Sequence, residues 1–288
     1  MIMSNRRPMS KTTARRVSMT ITYIILILCA IICIFPFFWM LTTAFKSTAE
    51  AYLFPPTFIP KKWLFSNFTN GLQAADFATF TKNTVFLVII NTVATVISSA
   101  FVAYGFARFP ANGSKFWYTC LMATMMLPSQ VTLIPQYLLY YKMGMVDTYW
   151  PLIIPSLFGG GAYNIFLYRQ FFLSLPKELN EAATIDGASS FQTFIYIMMP
   201  AVKPVSMCVG VMSLVFNWND FYQPLIYLNS TKKFTVAIGL QFLNSSMGTT
   251  KIGQMMAVAV VMTLPVLLIF FVCQKYFVQG IKMQGIKG

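Results

Sequence analysis

The chain has 288 residues, 57% hydrophobic and only 10% charged, with mean hydropathy +0.65. Soluble domains carry roughly 25% charged residues, so this composition excludes a water-covered globule and points to an integral membrane protein. A net charge of +14 without histidine would suggest nucleic acid in a soluble chain. Here the bases sit at the ends and in loops between apolar runs, the pattern that orients membrane proteins.

A spanning helix needs about 20 mostly apolar residues. Six stretches qualify, at 17–44, 84–107, 116–140, 149–172, 202–228 and 255–277, and they predict one all-α transmembrane domain over residues 1–288. The first could be an uncleaved anchor; it is too long for a signal peptide, and no small-residue cleavage site follows it. Cys29, Cys33, Cys120, Cys208 and Cys273 all lie in apolar runs. Without histidine or a second nearby pair they read as packing residues rather than a disulfide or metal framework.

The first outer loop, Phe45–Lys82, is rich in proline and aromatics: Phe54-Pro55-Pro56, Pro60, Trp63, Phe65, Phe68. It suits an interfacial belt or contact with an external partner. Gly159-Gly160-Gly161 falls inside the fourth span, as a hinge, a close helix approach or a local packing adjustment.

Residues 174–201 form a polar, helix-forming insert between the fourth and fifth spans. Ser174 is the expected N-cap, with Pro176 in the first turn. A short helix over Lys177–Thr184, a turn at Asp186-Gly187 with glycine at positive φ, and a second helix over Ala188–Met198 make a hairpin on the membrane face. An amphipathic loop lying on anionic lipid should carry Lys and Arg. This insert carries Glu178, Glu181 and Asp186 instead, which favours a protein partner. Small residues at Ala182, Ala183, Gly187 and Ala188 would let it enter that partner's groove.

Asn217-Trp218-Asn219-Asp220 interrupts the fifth span. Span termination and interfacial anchoring account for these residues and for Tyr222 beyond them.

Most Lys and Arg fall in the N-terminal tail, the second and fourth loops and the C-terminal tail. Both termini and the hairpin are therefore predicted to be cytoplasmic, which an even number of spans permits. No G-x-x-x-x-G-K-[ST] loop exists, so the chain is expected to bind no nucleotide, and without histidine no His-based catalysis is available. The seven acids lie in loops or at span ends, which disfavours an ion-coupled carrier. That carrier or channel, and a non-transporting scaffold, are the alternatives.

Glu181, Ala182, Ala183, Gly187, Ile197 and Pro200 resemble the E-A-A-x-x-x-G-x(9)-I-x-L-P signature of bacterial ABC importer permeases, with Met199 in place of the leucine. Pro36-Phe37-Phe38-Trp39-Met40, Ala103-Tyr104-Gly105-Phe106-Ala107-Arg108, Asp186-Gly187-Ala188, Asn217-Trp218-Asn219-Asp220-Phe221 and Gly285-Ile286-Lys287-Gly288 extend the resemblance to the carbohydrate-uptake, maltose-type branch and its six-span member. The resemblance implies the type I importer fold in a bacterial inner membrane. It implies a second permease subunit, an ATPase dimer holding ATP and Mg, and an extracytoplasmic sugar-binding protein. Glu181, Ala182, Ala183, Asp186, Gly187, Ala188, Ile197 and Pro200 would then couple to one ATPase, with Gly285, Ile286, Lys287 and Gly288 as an ATPase-facing tail. For the sugar cargo so implied, amide and aromatic side chains make Asn217, Trp218, Asn219 and Tyr222 candidate pathway contacts, with span termination and interfacial anchoring as the equal alternative. The chain itself would bind no cofactor and catalyse nothing.

Overall fold

The computed structural model describes residues 11–109, 111–246 and 251–284, and among them every regular element is helical. In order these are α1 (Lys11–Ala44), α2 (Thr48–Ala51), α3 (Ser66–Gln73), α4 (Phe77–Arg108), α5 (Ser114–Ala123), α6 (Ser129–Lys142), α7 (Trp150–Leu157) and α8 (Ala162–Ser174). There follow α9 (Glu178–Ile185), α10 (Ser190–Thr193), a π-helical turn (Phe194–Met198), α11 (Met199–Ala201), α12 (Lys203–Asn219), α13 (Tyr222–Tyr227), α14 (Val236–Ser246) and α15 (Ile252–Gln284).

Among the described residues, three helical segments are long and apolar enough to cross a membrane: Arg15–Ala44, Phe77–Arg108 and Ile252–Gln274. A fourth appears if Ser190–Ala201 and Lys203–Asn219, bent by 81°, count as one. The other expected spans are broken, and each break has a local cause. Pro128 separates α5 from α6, and Leu127 before it is extended at ψ 121°, as the residue preceding proline prefers. Gly159, Gly160 and Gly161 separate α7 from α8 with φ of 99°, 56° and 106°, which side chains with a Cβ rarely adopt. Asp220, extended at ψ 111°, separates α12 from α13.

The chain divides into two compact units, Met1–Gly71 with Thr249–Val260, and Leu72–Gly248 with Val261–Gly288. In the first, the expected aromatic loop folds on itself. The Asn67 amide donates to the Ala44 and Lys46 carbonyls, both at 2.9 Å. Lys46 is 1% exposed; its ammonium lies 4.3 Å from the Trp39 ring centre and donates to the Thr57 carbonyl. Burial lowers its pKa. Phe45 packs against Trp63, Phe65 and Phe68, while Phe54 stays exposed.

The second unit is organised on α4. Its small residues Ala100 and Ala103 are fully buried, and small side chains let membrane helices approach closely. They pack with Tyr168 and Phe172 of α8, Val205 and Val209 of α12, and Phe194 and Met198 of the π turn. The three helices and the hairpin root thus share one core.

Candidate functional site

Two features of the second unit carry the functional candidates: the hairpin between α8 and α12, and a cavity. In the hairpin, Ser174 ends α8 instead of capping α9, and its hydroxyl donates back to the Phe171 carbonyl at 2.7 Å. Pro176 lies between the helices, and α9 begins at Glu178 with Lys177 as N-cap. Glu178 and Glu181 occupy its first turn, where the helix dipole favours anions. The Gly187 N–H donates to the Thr184 carbonyl and the Ala188 N–H to the Ala183 carbonyl. Gly187 has φ 78°, as a glycine-terminated helix requires. Ser189 then starts α10 with a capping box. Its hydroxyl accepts the Gln192 N–H at 3.3 Å, and its own N–H donates to Gln192 Oε1 at 2.8 Å. The expected second helix is thus α10 followed by a π turn rather than one regular helix.

The hairpin is anchored from below and open above. Ala183, Phe194, Met198 and Val202 are buried. Asn180 Nδ2 donates to the Tyr104 hydroxyl at 3.2 Å, and Arg108 donates to the Leu175 carbonyl at 2.9 Å and the Pro176 carbonyl at 3.4 Å. Nearby, the Arg169 guanidinium stacks 4.1 Å from the Tyr118 ring centre. Of the predicted coupling residues, Glu181, Ala182, Asp186, Gly187 and Pro200 are exposed, Ala188 and Ile197 are half-buried, and Ala183 is buried. Ile185 at 86% exposure and Tyr196 at 75% were not singled out in the sequence. Their signal, large apolar side chains inside a polar acidic insert, was available. The tail Gly285, Ile286, Lys287 and Gly288 lies outside the described residues.

The cavity, of about 550 Å³, lies among α4, α6, α7, α8, α12 and α13. Amides, hydroxyls and aromatic rings line it, among them Asn91, Gln136, Asn164, Asn217, Phe216 and Tyr163. Asn91 Nδ2 donates to Asn217 Oδ1 at 2.8 Å, and Asn217 Nδ2 donates to the Ser213 carbonyl at 2.7 Å. Asn164 Nδ2 donates to the Gly160 carbonyl at 2.7 Å, so the glycine break shapes the cavity wall.

Of the four predicted pathway residues, Asn217 alone lines this cavity. Trp218 is buried with its indole N–H on the Met262 carbonyl at 3.1 Å. Asn219 is exposed and bonds the Val215 carbonyl, and Tyr222 is exposed. Amides inside otherwise apolar segments marked the lining residues, because such groups must find partners or ligands.

Residues 96–283 match the family described as binding-protein-dependent transport system inner membrane component. The chain is 32% identical over 276 residues to the lactose transport system permease protein LacG of Rhizobium radiobacter, covering 94% of this chain and 98% of that protein. It is 30% identical over 278 residues to the arabinooligosaccharides transport system permease protein AraQ of Bacillus subtilis, covering 95% and 96%. A chain of a bacterial ABC transporter involved in importing the acidic polysaccharide alginate has the same fold, with TM-score 0.82, 22% identity, and 94% and 100% coverage.

Proposed function

Because this chain belongs to the family of binding-protein-dependent transport system inner membrane components, we propose that it is a permease subunit of an ABC importer for a sugar or oligosaccharide. It forms part of the translocation pathway with a second permease subunit. An extracytoplasmic binding protein delivers cargo, and a separate ATPase pair, carrying ATP and Mg, drives the cycle. The family match carries this reading. The names of relatives favour sugar, as does a cavity lined by amides, hydroxyls and aromatic rings. Those names cover neutral sugars as well as an acidic polysaccharide, so they leave the charge of the cargo open.

The broken helices pair to give the remaining spans: α5 with α6, α7 with α8, and α12 with α13. With α1, α4 and α15 they make six, and both termini then face the cytoplasm. The hairpin is the coupling element. Glu181, Ala182, Asp186 and Gly187 meet the ATPase, while Phe194 and Met198 fix the hairpin to α4, α8 and α12. When the ATPases close, the hairpin moves as a rigid piece and carries those helices with it, a rigid-body form of alternating access.

Gly187→Asp tests this directly. Nothing lies within 4 Å of a Cβ built at Gly187, so the substitution strains only the turn and leaves the core intact. In proteoliposomes holding the complete transporter, it should abolish ATP-driven sugar uptake and weaken ATPase co-purification while the subunit remains folded. Normal uptake by the variant would refute the docking role. A solitary ion-coupled carrier would instead show gradient-driven uptake in ATP-depleted vesicles.

A further inference from the structure

We propose that the cavity of this chain is itself a cargo-binding site and that Asp220 selects cargo by charge, admitting neutral and amine-bearing sugars and rejecting uronates. The inference rests on the sugar-importer reading and goes beyond it. Two observations carry it, one on binding and one on charge.

The first is unmet hydrogen bonding in the wall. Asn91 Oδ1, the Tyr227 hydroxyl and the Thr235 hydroxyl are buried without a hydrogen-bond partner. Their residues are 3%, 1% and 4% exposed, and all three line the cavity. Buried polar groups are nearly always satisfied by protein, water or ligand. The residues that carry these three groups all line one cavity, with Tyr163 and Phe216, a lining that matches what a sugar offers: hydroxyls to pair with polar atoms and ring faces to lie on aromatic ones.

The second is the sign of the charge. The chain carries 21 Lys and Arg against 7 Asp and Glu, yet the lining contains neither Lys nor Arg and a single acid, Asp220. No ion pair to Asp220 exists among the described residues. Its carboxylate accepts the Gln223 N–H at 3.2 Å, at the start of α13. That bond is a helix-start role which leaves the carboxylate charge uncompensated. In a partly dry cavity an unpaired charge acts over several ångströms with little screening. It repels a uronate and attracts a protonated amine.

Asp220→Asn separates the two roles of this side chain. Asparagine begins helices as well as aspartate does, so the start of α13 survives and only the charge is lost. The measurement is saturation-transfer NMR titration on the permease–ATPase complex in nanodiscs, without nucleotide or binding protein, at near-neutral pH. The probes are cellotriose, fully deacetylated chitosan triose and trigalacturonate. The wild type should bind trigalacturonate about tenfold more weakly than cellotriose, and chitosan triose at least as tightly, the scale of one charge about 12 Å away at an effective dielectric near 20. In Asp220→Asn the three affinities should fall within about twofold of one another.

Equal wild-type affinities, or a uronate penalty that persists in Asp220→Asn, would overturn the charge filter. If none of the three binds, the cavity is not a cargo site. ATP-driven sugar uptake by the complete transporter then decides separately whether the importer reading stands.

Discussion

Single residues set the geometry of the loops and breaks in this chain. Asp147 sits between α6 and α7 at φ 59°, a conformation rarely taken by residues other than glycine. Its Oδ1 accepts the N–H groups of Asn229 and Ser230 at 3.0 and 2.9 Å, and its Oδ2 accepts Lys233 Nζ at 3.1 Å and the Ser230 hydroxyl. The Ser230 hydroxyl and N–H, ahead of Asn229 and Lys233, hold the carboxyl far below its ordinary range. A depressed pKa stabilises the fold above the unfolded value, about 3.9, and that contribution is lost as pH falls from there toward the folded value. Thermal unfolding should therefore show the wild type more stable than Asp147→Asn above about pH 5, with the gap closing as the solution is acidified below pH 4 or so. A gap independent of pH would mean the carboxylate charge is irrelevant. The glycine break offers a second contrast. A Cβ on Gly160 would lie 2.5 Å from the Thr95 side chain, whereas one on Gly161 meets nothing within 4 Å. Both have positive φ. Gly161→Ala should cost about 1–2 kcal/mol of backbone strain, and Gly160→Ala about 1–3 kcal/mol more from overpacking, read as successive drops in melting temperature.

Among the elements, α4 hydrogen-bonds to both functional features. Tyr104 and Arg108 at its C-terminal end hold the hairpin through Asn180 and the carbonyls of Leu175 and Pro176. Nearer its middle, Asn91 bonds Asn217 in the cavity wall, and Ser98 donates to the Ser156 carbonyl at 2.7 Å while accepting the Gly159 N–H at 3.1 Å. A continuous helix transmits displacement along its axis better than any of the broken ones. Arg108→Ala removes the donors that tie α4 to the end of α8 without removing apolar core. It should lower transport about tenfold, the factor that 1.4 kcal/mol of lost coupling produces, while ATP hydrolysis in the reconstituted complex falls much less. A parallel loss of both activities would show that Arg108 serves assembly and not transmission. Much of this element-scale picture was legible in the sequence. Gly187 marked the hairpin turn, and three consecutive glycines marked a hinge, a close approach or a packing adjustment where the helix in fact breaks. The Asn217-Trp218-Asn219-Asp220 run marked the interruption between α12 and α13, but hydropathy alone could not show that α5–α6 is interrupted, because Leu127-Pro128 weighs little in an apolar window. Nor could it show that Asn217 faces the cavity while its neighbours Trp218 and Asn219 turn away. That depends on which helix face packs, and the partners of that face lie far along the chain.

For the whole molecule, the decisive quantity is the number of crossings, which fixes where the hairpin and the α13–α14 connection lie. Among the described residues three helices are long enough alone, and one bent pair could supply a fourth; the proposed six need each of the three broken pairs to span with its halves acting together. The charge pattern demands an even count if both termini are cytoplasmic. Six crossings then put α9 and α10 inside and Thr231–Lys233 outside. Ser190 and Thr231 are both exposed, so each can be tested with one cysteine. The native cysteines Cys29, Cys33, Cys120, Cys208 and Cys273 are free, so they must first be replaced. In intact cells a membrane-impermeant maleimide should label Thr231→Cys and spare Ser190→Cys. In inverted vesicles the pattern should reverse. Labelling of both from one side would leave an even number of crossings between them. It would break the pairing of α12 with α13, and with it the placement of the hairpin on the ATPase side.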